Sequence, residues 1–377
     1  PKALDKFFCS GEKLVFYVGF DPTAKSLHVG HLLWIKLVEK LQRAGHKPII
    51  ICGGATGKIG DPTWKSKQRV MINEKIISEN TELILEKLGQ LINFKIGGNP
   101  ARLLNNYTWL SKLNYLDFLR DFGPLFSVNK MLAMDSVCNR LEMQQHLSFL
   151  EFNYMLLQAY DFLHLFEHYD CKIQIGGADQ WANMISGIDL IRRKTGEQAV
   201  GLSLPLLTTS NGGKMGKTNE GTIWLNQNLT SPFNFWHYWR NVDDHDVVKF
   251  LKLFTILSPA EADETIGLIS SDKINKWKIL LADKITTFVH PGADLDEIKS
   301  MTLGIDLNLD TPMQLEDVLV LANLAESKTA SKRLIDGGGV KIDGITATNY
   351  KQIIKCDTLI SVGKKKLIRI CKKQEPF

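Results

Sequence analysis

The chain has 377 residues, of which 44% are hydrophobic and 23% charged, and a formal net charge of +5 at pH 7. These values are typical of a globular protein of two or three domains, and the mild positive charge permits an RNA partner without requiring one. No apolar run approaches the roughly 20 residues of a transmembrane helix, and the six cysteines stand singly, which argues against a disulfide framework or a cysteine-rich zinc site.

The N-terminal pattern predicts a strand, a helix and a second strand. Residues 14–20 are apolar and rich in β-branched and aromatic side chains, as expected of a buried strand. Ser26 is suited to cap a helix that ends at Gly45, and residues 47–52 form a second buried strand. The pattern therefore predicts a βαβ unit with a functional turn after its first strand.

His28 and His31 lie three residues apart at the predicted helix start, so both imidazoles project from one face. Gly30 between them lets a ligand approach the backbone closely. A helix N-terminus attracts phosphate, and imidazoles there can donate hydrogen bonds to a phosphate whose charge grows in a transition state. Two ordinary surface histidines or a zinc pair fit this tetrapeptide as well.

The whole stretch YVGFDPTAKSLHVGH, residues 17–31, is more specific. It resembles the nucleotide-binding signature of class I aminoacyl-tRNA synthetases, in the form found in bacterial and organellar tyrosyl-tRNA synthetases. The resemblance implies that the reaction depends on Thr23, His28 and His31, and that Tyr17 contacts the substrate phenol. It also implies ATP binding by Gly19, Asp21, His28, Gly30 and His31.

The next segment, GGATGKIGDPTWKSKQR at residues 53–69, is not a P-loop. Its spacing is one residue short, and Ile59 stands where a Ser or Thr would bind magnesium. We interpret it as a glycine turn followed by Asp61 and a basic loop. The resemblance implies that Asp61 contacts the substrate ammonium and that Lys65 and Arg69 meet the ATP phosphates; an ordinary solvated loop is the alternative.

Residues 127–142 consist largely of good helix formers and predict a helical insertion, at about residues 95–148. In the family this insertion forms the two-fold dimer interface and contacts the acceptor arm of tRNA. A homodimer is therefore an implication of the resemblance alone.

Residues 149–169 have the pattern of a helix, with Tyr154, Gln158 and Asp161 on one side. Asp161 can accept a hydrogen bond from a buried phenol, and such a site rejects phenylalanine strongly. The three residues match the tyrosine-binding helix of the family, although a simple polar helix side is the alternative. His164 and His168 belong to an HxxEH pattern typical of zinc proteases, but no third ligand is evident and we favour surface polarity.

A second strand–glycine–helix junction follows at GGADQW, residues 176–181, after a strand at 171–175. Two such junctions are typical of a doubly wound sheet whose ligand lies at the carboxyl ends of the strands. The resemblance implies that Gly177 and Asp179 approach the ribose of ATP and that Gln180 lies near the amino-acid carboxylate.

Residues 202–208 predict another strand, and SNGGKMGKT at residues 210–218 predicts a flexible loop. The segment 210–218, here named the lysine loop, matches the second class I signature in its KxGKT variant. The resemblance implies that Lys214, Lys217 and Thr218 bind ATP and that both lysines stabilise the charge moving to pyrophosphate. A solvated loop is the alternative for this segment taken by itself.

The rest of the chain predicts helices and then a basic tail. We expect a catalytic domain at residues 1–218, an α-helical anticodon-arm domain at 219–290, a linker at 291–312 and a small α+β RNA-binding domain at 313–377. The tail resembles an RNA-binding domain shared with a ribosomal small-subunit protein. The predicted fold is a Rossmann-like parallel α/β sheet with a helical insertion, followed by these two smaller domains.

The resemblance covers nearly the whole chain and implies a tyrosine–tRNA ligase that uses ATP, L-tyrosine and tRNA. Magnesium is expected with ATP, no metal site or tightly bound cofactor is expected, and no membrane partner is expected. The start on Pro1 suggests a missing natural start, no signal peptide is evident, and the cytoplasm is expected, with an organellar matrix as the alternative. A tryptophanyl relative, a small-molecule nucleotidyltransferase and a non-catalytic RNA-binding paralogue are the other candidate functions.

Overall fold

The structure is a computed structural model that describes residue 9 and residues 11–61, 73–95, 97–210, 212–213, 215–218, 221–255, 274–302, 305–309, 312–322, 324–343, 345–355, 358–363 and 366–372. The chain divides into two compact units. The first comprises residues up to 231 and 238–289, and the second comprises 232–237 and 290–377. Within the described ranges, every helix is too short or too polar to traverse a lipid bilayer.

A parallel five-stranded sheet forms the centre of the first unit, in the order β3-β2-β1-β4-β5. Its strands are β1 Val15–Phe20, β2 Lys47–Cys52, β3 Arg102–Asn105, β4 Cys171–Gly177 and β5 Val200–Leu204. Two short strands, β6 Lys217–Thr218 and β7 Gly221–Thr222, pair in antiparallel fashion. Strand β2 is buried along its whole length after Lys47, as expected where helices cover both faces of a parallel sheet.

Helices surround this sheet and build the insertion. They are α1 Leu32–Arg43, α2 Thr56–Ile59, α3 Glu74–Leu91, α4 Tyr107–Leu110, α5 Tyr115–Asp121, α6 Val128–Leu132, α7 Asp135–Glu142, α8 Phe149–Tyr169, α9 Trp181–Thr195, the end of α10 Pro232–Arg240, α11 Asp244–Phe254 and α12 Ile274–Val289. Residues 232–237 of α10 belong to the second unit. Short 3-10 turns lie at Val29–His31, Gly123–Leu125 and Ala178–Gln180. The predicted Rossmann-like fold class is therefore confirmed.

The order of the strands determines where a ligand can bind. The chain leaves β1 toward β2 on one side, whereas β4 lies on the other side of β1. At such a switch point the connections diverge and leave a crevice at the carboxyl ends of the two strands. The turn after β1 and the turn after β4 therefore face the same crevice.

The predicted βαβ unit is confirmed, but the predicted helix cap is wrong. His28, rather than Ser26, caps the first turn, because its side chain accepts a hydrogen bond from the backbone of Gly30. The Ser26 hydroxyl instead accepts from the backbone N–H of Asn226 at 3.1 Å. Strand β5 also runs from Val200 to Leu204, earlier than the predicted 202–208.

Helix α8 is confirmed over residues 149–169, and its start is strongly specified. Ser148 and Glu151 form a reciprocal capping box, and Glu151 also pairs with Arg140 at 3.1 Å. Both charged side chains are buried, so this ion pair joins the insertion helix α7 to the start of α8. The helix ends at Asp170, whose positive φ of 53° turns the chain toward β4.

The second unit contains a mixed five-stranded sheet in the order β11-β10-β13-β14-β8. Its elements are α13 Leu295–Thr302, β8 Ile305–Leu309, β9 Met313–Gln314, α14 Leu315–Leu321, α15 Lys328–Asp336, β10 Val340–Ile342, β11 Ile345–Thr346, β12 Ile353–Ile354, β13 Leu359–Val362 and β14 Lys366–Lys372. Its core packs Leu319 and Ile335 of the helices against Val340 and Ile368 of the sheet.

The predicted linker at 291–312 has regular structure. Helix α13 and strand β8 lie in it, and β8 pairs in parallel with β14 as part of the sheet of the second unit. The sequence IDLNL is too short and too mixed to identify as a strand without its partner. The boundaries of the four predicted domains remain predictions.

Candidate active site

A cavity of about 520 Å³ lies in the crevice at the carboxyl ends of β1 and β4. Many of the residues predicted to bind substrates line it, namely Tyr17, Gly19, Asp21, Thr23, His28, Gly30, His31, Asp61, Tyr154, Gln158, Asp161, Gly177, Asp179 and Gln180. The structure thus brings these dispersed positions together around one space. Their individual roles remain predictions.

Three of the cations predicted to bind phosphate lie outside the part of the chain that the structure describes. They are Lys65, Arg69 and Lys214. Lys217 and Thr218 are described in their backbone, which forms strand β6. Their assignment to ATP therefore rests on the sequence.

The HVGH turn comprises residues 28–31, and its two histidines are held by the backbone of the turn itself. The His28 Nδ1 atom accepts from Gly30 N–H at 3.0 Å, and the His31 Nδ1 atom accepts from His28 N–H at 3.1 Å. A neutral imidazole that accepts at Nδ1 carries its proton on Nε2. This bonding pattern assigns Nε2–H as the remaining donor on both rings, whose centroids are 4.0 Å apart.

The environment keeps His31 uncharged. Burial, and then the neighbouring His28, lower the pKa of His31 from 6.5 to about 3. Near neutral pH, His31 is therefore a neutral hydrogen-bond donor rather than a cation. Such a donor can stabilise developing phosphate charge through its N–H.

Gly30 is required by the fold of the turn itself. A Cβ atom at this position would lie 2.7 Å from Cε1 and 2.9 Å from Nδ1 of His28. The His28 ring lies over Gly30 because its Nδ1 accepts the Gly30 N–H. The glycine therefore makes room for a protein side chain, in addition to the ligand access expected from the sequence.

Asp161 is the centre of a buried polar network. Its Oδ1 accepts from the Trp109 indole at 2.7 Å, and its Oδ2 accepts from the Asn106 amide at 2.9 Å. Burial raises the pKa of Asp161 to about 7, although these two donors act to lower it. The side chain lines the cavity at 4% exposure, so the remaining acceptor capacity of its oxygens is available to a ligand hydroxyl.

Tyr17 adds a second polar group to the same part of the site. Its hydroxyl is buried and has no hydrogen-bond partner among the described residues. Its ring lies 5.3 Å from that of Phe162, on the helix that carries Asp161. Because an unpaired buried hydroxyl is costly, this group is well suited to bind a polar atom of a ligand.

Asp21 connects the first turn to helix α8. It accepts from the Thr56 hydroxyl at 2.8 Å through Oδ1 and from the Tyr154 hydroxyl at 2.9 Å through Oδ2. Asn106 donates to Thr56 at 3.0 Å, so the network continues to Asp161. The predicted ATP-binding and tyrosine-binding residues thus belong to one hydrogen-bonded system.

Gln180 organises another group of predicted residues. Its amide donates to Asp61 at 2.6 Å and to Asp179 at 3.2 Å. Asn183 donates to both Gln158 and Gln180, at 3.0 Å and 3.2 Å. The carboxylate expected to meet an ammonium is therefore oriented by an amide from the turn after β4.

The lysine loop lies against the HVGH turn. The segment that follows the loop pairs with the turn, since Val29 N–H donates to Ile223 O at 3.0 Å and Leu225 N–H donates to Leu27 O at 2.8 Å. Gly216 has a φ of +84°, and a Cβ atom there would lie 3.3 Å from Gly30 N. The described backbone at Gly216 therefore lies beside the HVGH turn, and the convergence of the lysine ammonium groups and the imidazoles on one triphosphate stays a prediction.

The HxxEH histidines form an aromatic stack instead. His164 lies between Trp109 and His168, with ring centroids at 4.4 Å and 4.3 Å. Burial lowers the pKa of His164 to about 4. The part of the chain that the structure describes contains no group of three or more His, Cys, Asp or Glu side chains suited to a metal ion.

Several cavity residues were not anticipated, namely Trp34, Thr56, Asn106, Gln174 and Met215. Asn106 directly follows strand β3, and the strand-end argument identifies it only once residues 102–105 are recognised as a strand, which their sequence does not indicate. Trp34 lies one helical turn after His31, on the same side of α1. Gln174 lies inside a buried strand, where polar residues are uncommon.

The chain matches the models of two known families. Residues 10–302 match the model of the class I tRNA synthetases for tryptophan and tyrosine (W and Y). Residues 313–358 match the model of the S4 domain. The two matches cover most of both compact units.

Curated relatives are similar over almost the full length. The tyrosine–tRNA ligase of Rickettsia conorii is 46% identical over 381 residues, which cover 95% of this chain and 92% of the relative. That of Pelagibacter ubique is 44% identical over 382 residues, with the same coverage. Among solved structures, a C-terminally truncated mitochondrial tyrosyl-tRNA synthetase of Aspergillus nidulans has a TM-score of 0.71 at 28% identity, covering 80% of this chain and 88% of its own.

Proposed function

This chain belongs to the class I tRNA synthetases and, within them, to the tyrosine–tRNA ligases, and we propose how its cavity carries out that reaction. The enzyme activates L-tyrosine with ATP and transfers the tyrosyl group to its tRNA. In the first step a carboxylate oxygen of tyrosine attacks the α-phosphorus of ATP, the bond to the β-phosphate breaks, and pyrophosphate leaves. In the second step a hydroxyl of the terminal ribose of tRNA attacks the tyrosyl carbonyl and AMP leaves.

The observation that carries the assignment of roles is that one cavity contains both the HVGH turn and the network around Asp161. We assign His28 and His31 to the phosphates as Nε2–H donors, together with Thr23. Asp161 and Tyr17 receive the phenol of tyrosine. No protein nucleophile is needed, because positioning and charge stabilisation suffice for this displacement.

The remaining polar groups orient the amino acid and the nucleotide. Asp61, Tyr154 and Gln158 surround the ammonium, and Gln180 lies near the carboxylate. Gly19, Asp21, Gly177 and Asp179 contact the adenosine part. On sequence grounds, Lys65, Arg69, Lys214, Lys217 and Thr218 bind the phosphates.

Magnesium is proposed to arrive with ATP. Mg²⁺ prefers phosphate and carboxylate oxygens and commonly binds through the substrate. The cavity carboxylate of Asp21 already accepts hydrogen bonds from Thr56 and Tyr154, which fits an ion held chiefly by the triphosphate. The metal would neutralise phosphate charge.

We also propose that the second unit contacts tRNA, because residues 313–358 match the model of the S4 domain.

We propose in addition that the chain forms a homodimer. The insertion and the adjoining start of α8 leave large apolar side chains exposed, among them Leu116 at 72% and Phe149 at 69%, which is unusual for a surface that stays in water. A second copy of this chain would cover them. Sedimentation should give twice the mass of one chain, whereas a monomer at micromolar concentration would contradict the dimer.

The location proposed is the cytoplasm or an organellar matrix. Cys52 and Cys171 are buried free thiols, as expected of a protein that stays in a reducing compartment.

The decisive experiment is exchange of labelled pyrophosphate into ATP. Exchange should require L-tyrosine, and L-phenylalanine should support it far less well, because it leaves the phenol-binding groups unpaired. L-tryptophan serves as the matched control for the related specificity. Equal exchange with tryptophan, or exchange without any amino acid, would contradict the proposed substrate.

A further inference from the structure

The lysine loop is held at both ends by side chains from helices α10 and α11, which neither the signature motifs nor the cavity includes. Three side chains are involved, and we name them the loop clamp: Tyr238, Asp246 and Lys249. All three lie in the first compact unit, as does the loop.

The chain that enters the lysine loop, residues 207–210, is here named the outgoing arm and is held by helix α11. The Asp246 carboxylate accepts from Ser210 N–H at 2.8 Å, and the Lys249 ammonium donates to Thr208 O at 2.7 Å. Asp246 is only 3% exposed. A hydrogen bond to a buried carboxylate is stronger than one between neutral groups, so this contact fixes the backbone at Ser210.

The returning arm, which comprises Gly213, Met215 and Gly216 among the described residues, is held by helix α10. Gly216 N–H donates to the Tyr238 hydroxyl oxygen at 3.2 Å. Burial is the main cause that raises the pKa of Tyr238, and the charge of Asp246 adds to it. The hydroxyl therefore stays neutral, and the two arms are held by groups that lie close enough to interact.

The two arms are also paired with each other. Met215 N–H donates to Leu207 O at 3.3 Å, and Thr209 N–H donates to Gly213 O at 2.9 Å. The returning arm ends at Gly216, which packs against the HVGH turn. Gly216 O accepts from Ile223 N–H at 2.9 Å, and Ile223 O accepts from Val29 N–H at 3.0 Å, so a series of hydrogen bonds runs from α11 through both arms to the HVGH turn.

We propose that Asp246 and Tyr238 are positioning residues for adenylate formation, acting by fixing the two ends of the lysine loop relative to the HVGH turn. The inference rests on the proposed function, because the lysines matter only if they meet ATP phosphates. Neither residue lines the cavity, so neither is a catalytic residue. Loosening either end lowers the fraction of molecules in which the loop is correctly placed, and hence the rate of the chemical step.

The test compares Asp246→Ala with Asp246→Asn and Asp244→Ala. The asparagine keeps an oxygen acceptor for Ser210 N–H, whereas the alanine removes it. Asp244 lies in the same first turn of α11 and pairs with Lys278, so its loss removes the same helix-terminal charge without a contact to the loop. Tyr238→Phe is the independent variant for the returning arm, because it keeps the ring and removes the oxygen.

Single-turnover formation of tyrosyl-adenylate is measured at saturating ATP, and the Kd of L-tyrosine is measured separately. We expect Asp246→Ala to slow adenylate formation about tenfold or more, because it removes a hydrogen bond to a charged group. Tyr238→Phe should slow it about fivefold, because it removes a hydrogen bond between neutral groups. The Kd of tyrosine should change less than about twofold in both variants, because neither residue lines the cavity and distant substitutions have small effects on binding. Asp246→Asn should recover most of the rate, and Asp244→Ala should match the unmodified enzyme.

The outcomes separate this inference from the proposed function. An unmodified protein without tyrosine-dependent exchange refutes the proposed function. An active unmodified protein whose Asp246→Ala and Tyr238→Phe variants keep full rate refutes the loop clamp alone. Equal losses in Asp246→Asn and Asp246→Ala, or parallel losses in rate and tyrosine affinity, would also overturn it. If Asp246→Ala does not fold, Tyr238→Phe decides, since it leaves α11 intact.

Discussion

The indole of Trp109 donates a hydrogen bond to Oδ1 of Asp161 at 2.7 Å, across 52 positions of sequence and wholly inside the first unit. This contact orients the carboxylate that we propose as the acceptor for the phenol of tyrosine. It also opposes the effect of burial on the pKa of Asp161. The selectivity of the enzyme should therefore depend on a residue that does not line the cavity.

Replacing Trp109 with Phe should weaken tyrosine binding. The ring volume is largely kept, but Asp161 loses a donor, so we expect the Kd of L-tyrosine to rise about tenfold, the effect of losing a hydrogen bond to a charged group. Binding of L-phenylalanine serves as the control, because it has no hydroxyl for Asp161. Equal weakening of both ligands would mean that Trp109 only shapes the pocket.

Asp161 should make stability depend on pH. Its pKa of about 7 lies above its ordinary 3.8, so the folded state holds a proton that the unfolded state releases. Stability is therefore greatest below the unfolded pKa and falls as pH rises toward 7. Relative to Asp161→Asn, which keeps shape without charge, the wild-type chain should lose roughly 2 to 3 kcal/mol between pH 5 and 8, measured by urea unfolding. A constant difference between the two proteins across that range would refute the pKa assignment.

His31 should not titrate near neutral pH. Because burial and His28 lower its pKa to about 3, its ring stays neutral from pH 5 upward. NMR of the ring Hε1 proton, assigned by comparison with His31→Asn, should show no step between pH 5 and 9. A midpoint near the usual 6.5 would require a charged imidazole in the site.

Lys217→Ala should lower the rate of adenylate formation far more than the affinity for tyrosine. A cation placed to stabilise transition-state charge is worth about 10²-fold or more in rate. Lys194→Ala is the matched control, since that lysine is exposed on α9 with its ammonium over the ring of Phe122. Unchanged single-turnover kinetics in Lys217→Ala would remove the loop lysine from the mechanism.

A chain ending at residue 302 should still form tyrosyl-adenylate but charge tRNA poorly. The cut removes β8 together with the strands it joins, so no strand of the second sheet is left unpaired. Exchange should stay within about threefold of the full chain, because the cavity lies wholly in the first unit. A fragment that folds but loses both activities would show that the second unit supports the cavity.

The parts that could be predicted share a physical basis. Apolar runs ending in glycine or aspartate identified β1, β2, β4 and the turns that follow them, since buried parallel strands have few alternatives. The cap at His28 was missed because the hydroxyl of Ser26 was the better intrinsic cap, and tertiary pairing with Asn226 used it elsewhere. The hydrogen bond from Trp109 to Asp161 could not be inferred from the sequence. The two residues meet only in the folded chain, so their contact leaves no periodic pattern. Strand β8 was missed for a related reason, since its partner lies about sixty residues away.

The pairing of residues 27–29 with residues 223–225 has a consequence for how the protein tolerates change. Main-chain hydrogen bonds join these segments, and main-chain atoms are the same for every residue except proline. Substitution of a residue such as Ile223 by another residue except proline should therefore have little effect on this pairing. Insertion or deletion of a single residue there would shift the register of the pairing and turn the following side chains to the opposite face. The number of residues in these two segments should therefore matter more than their identity.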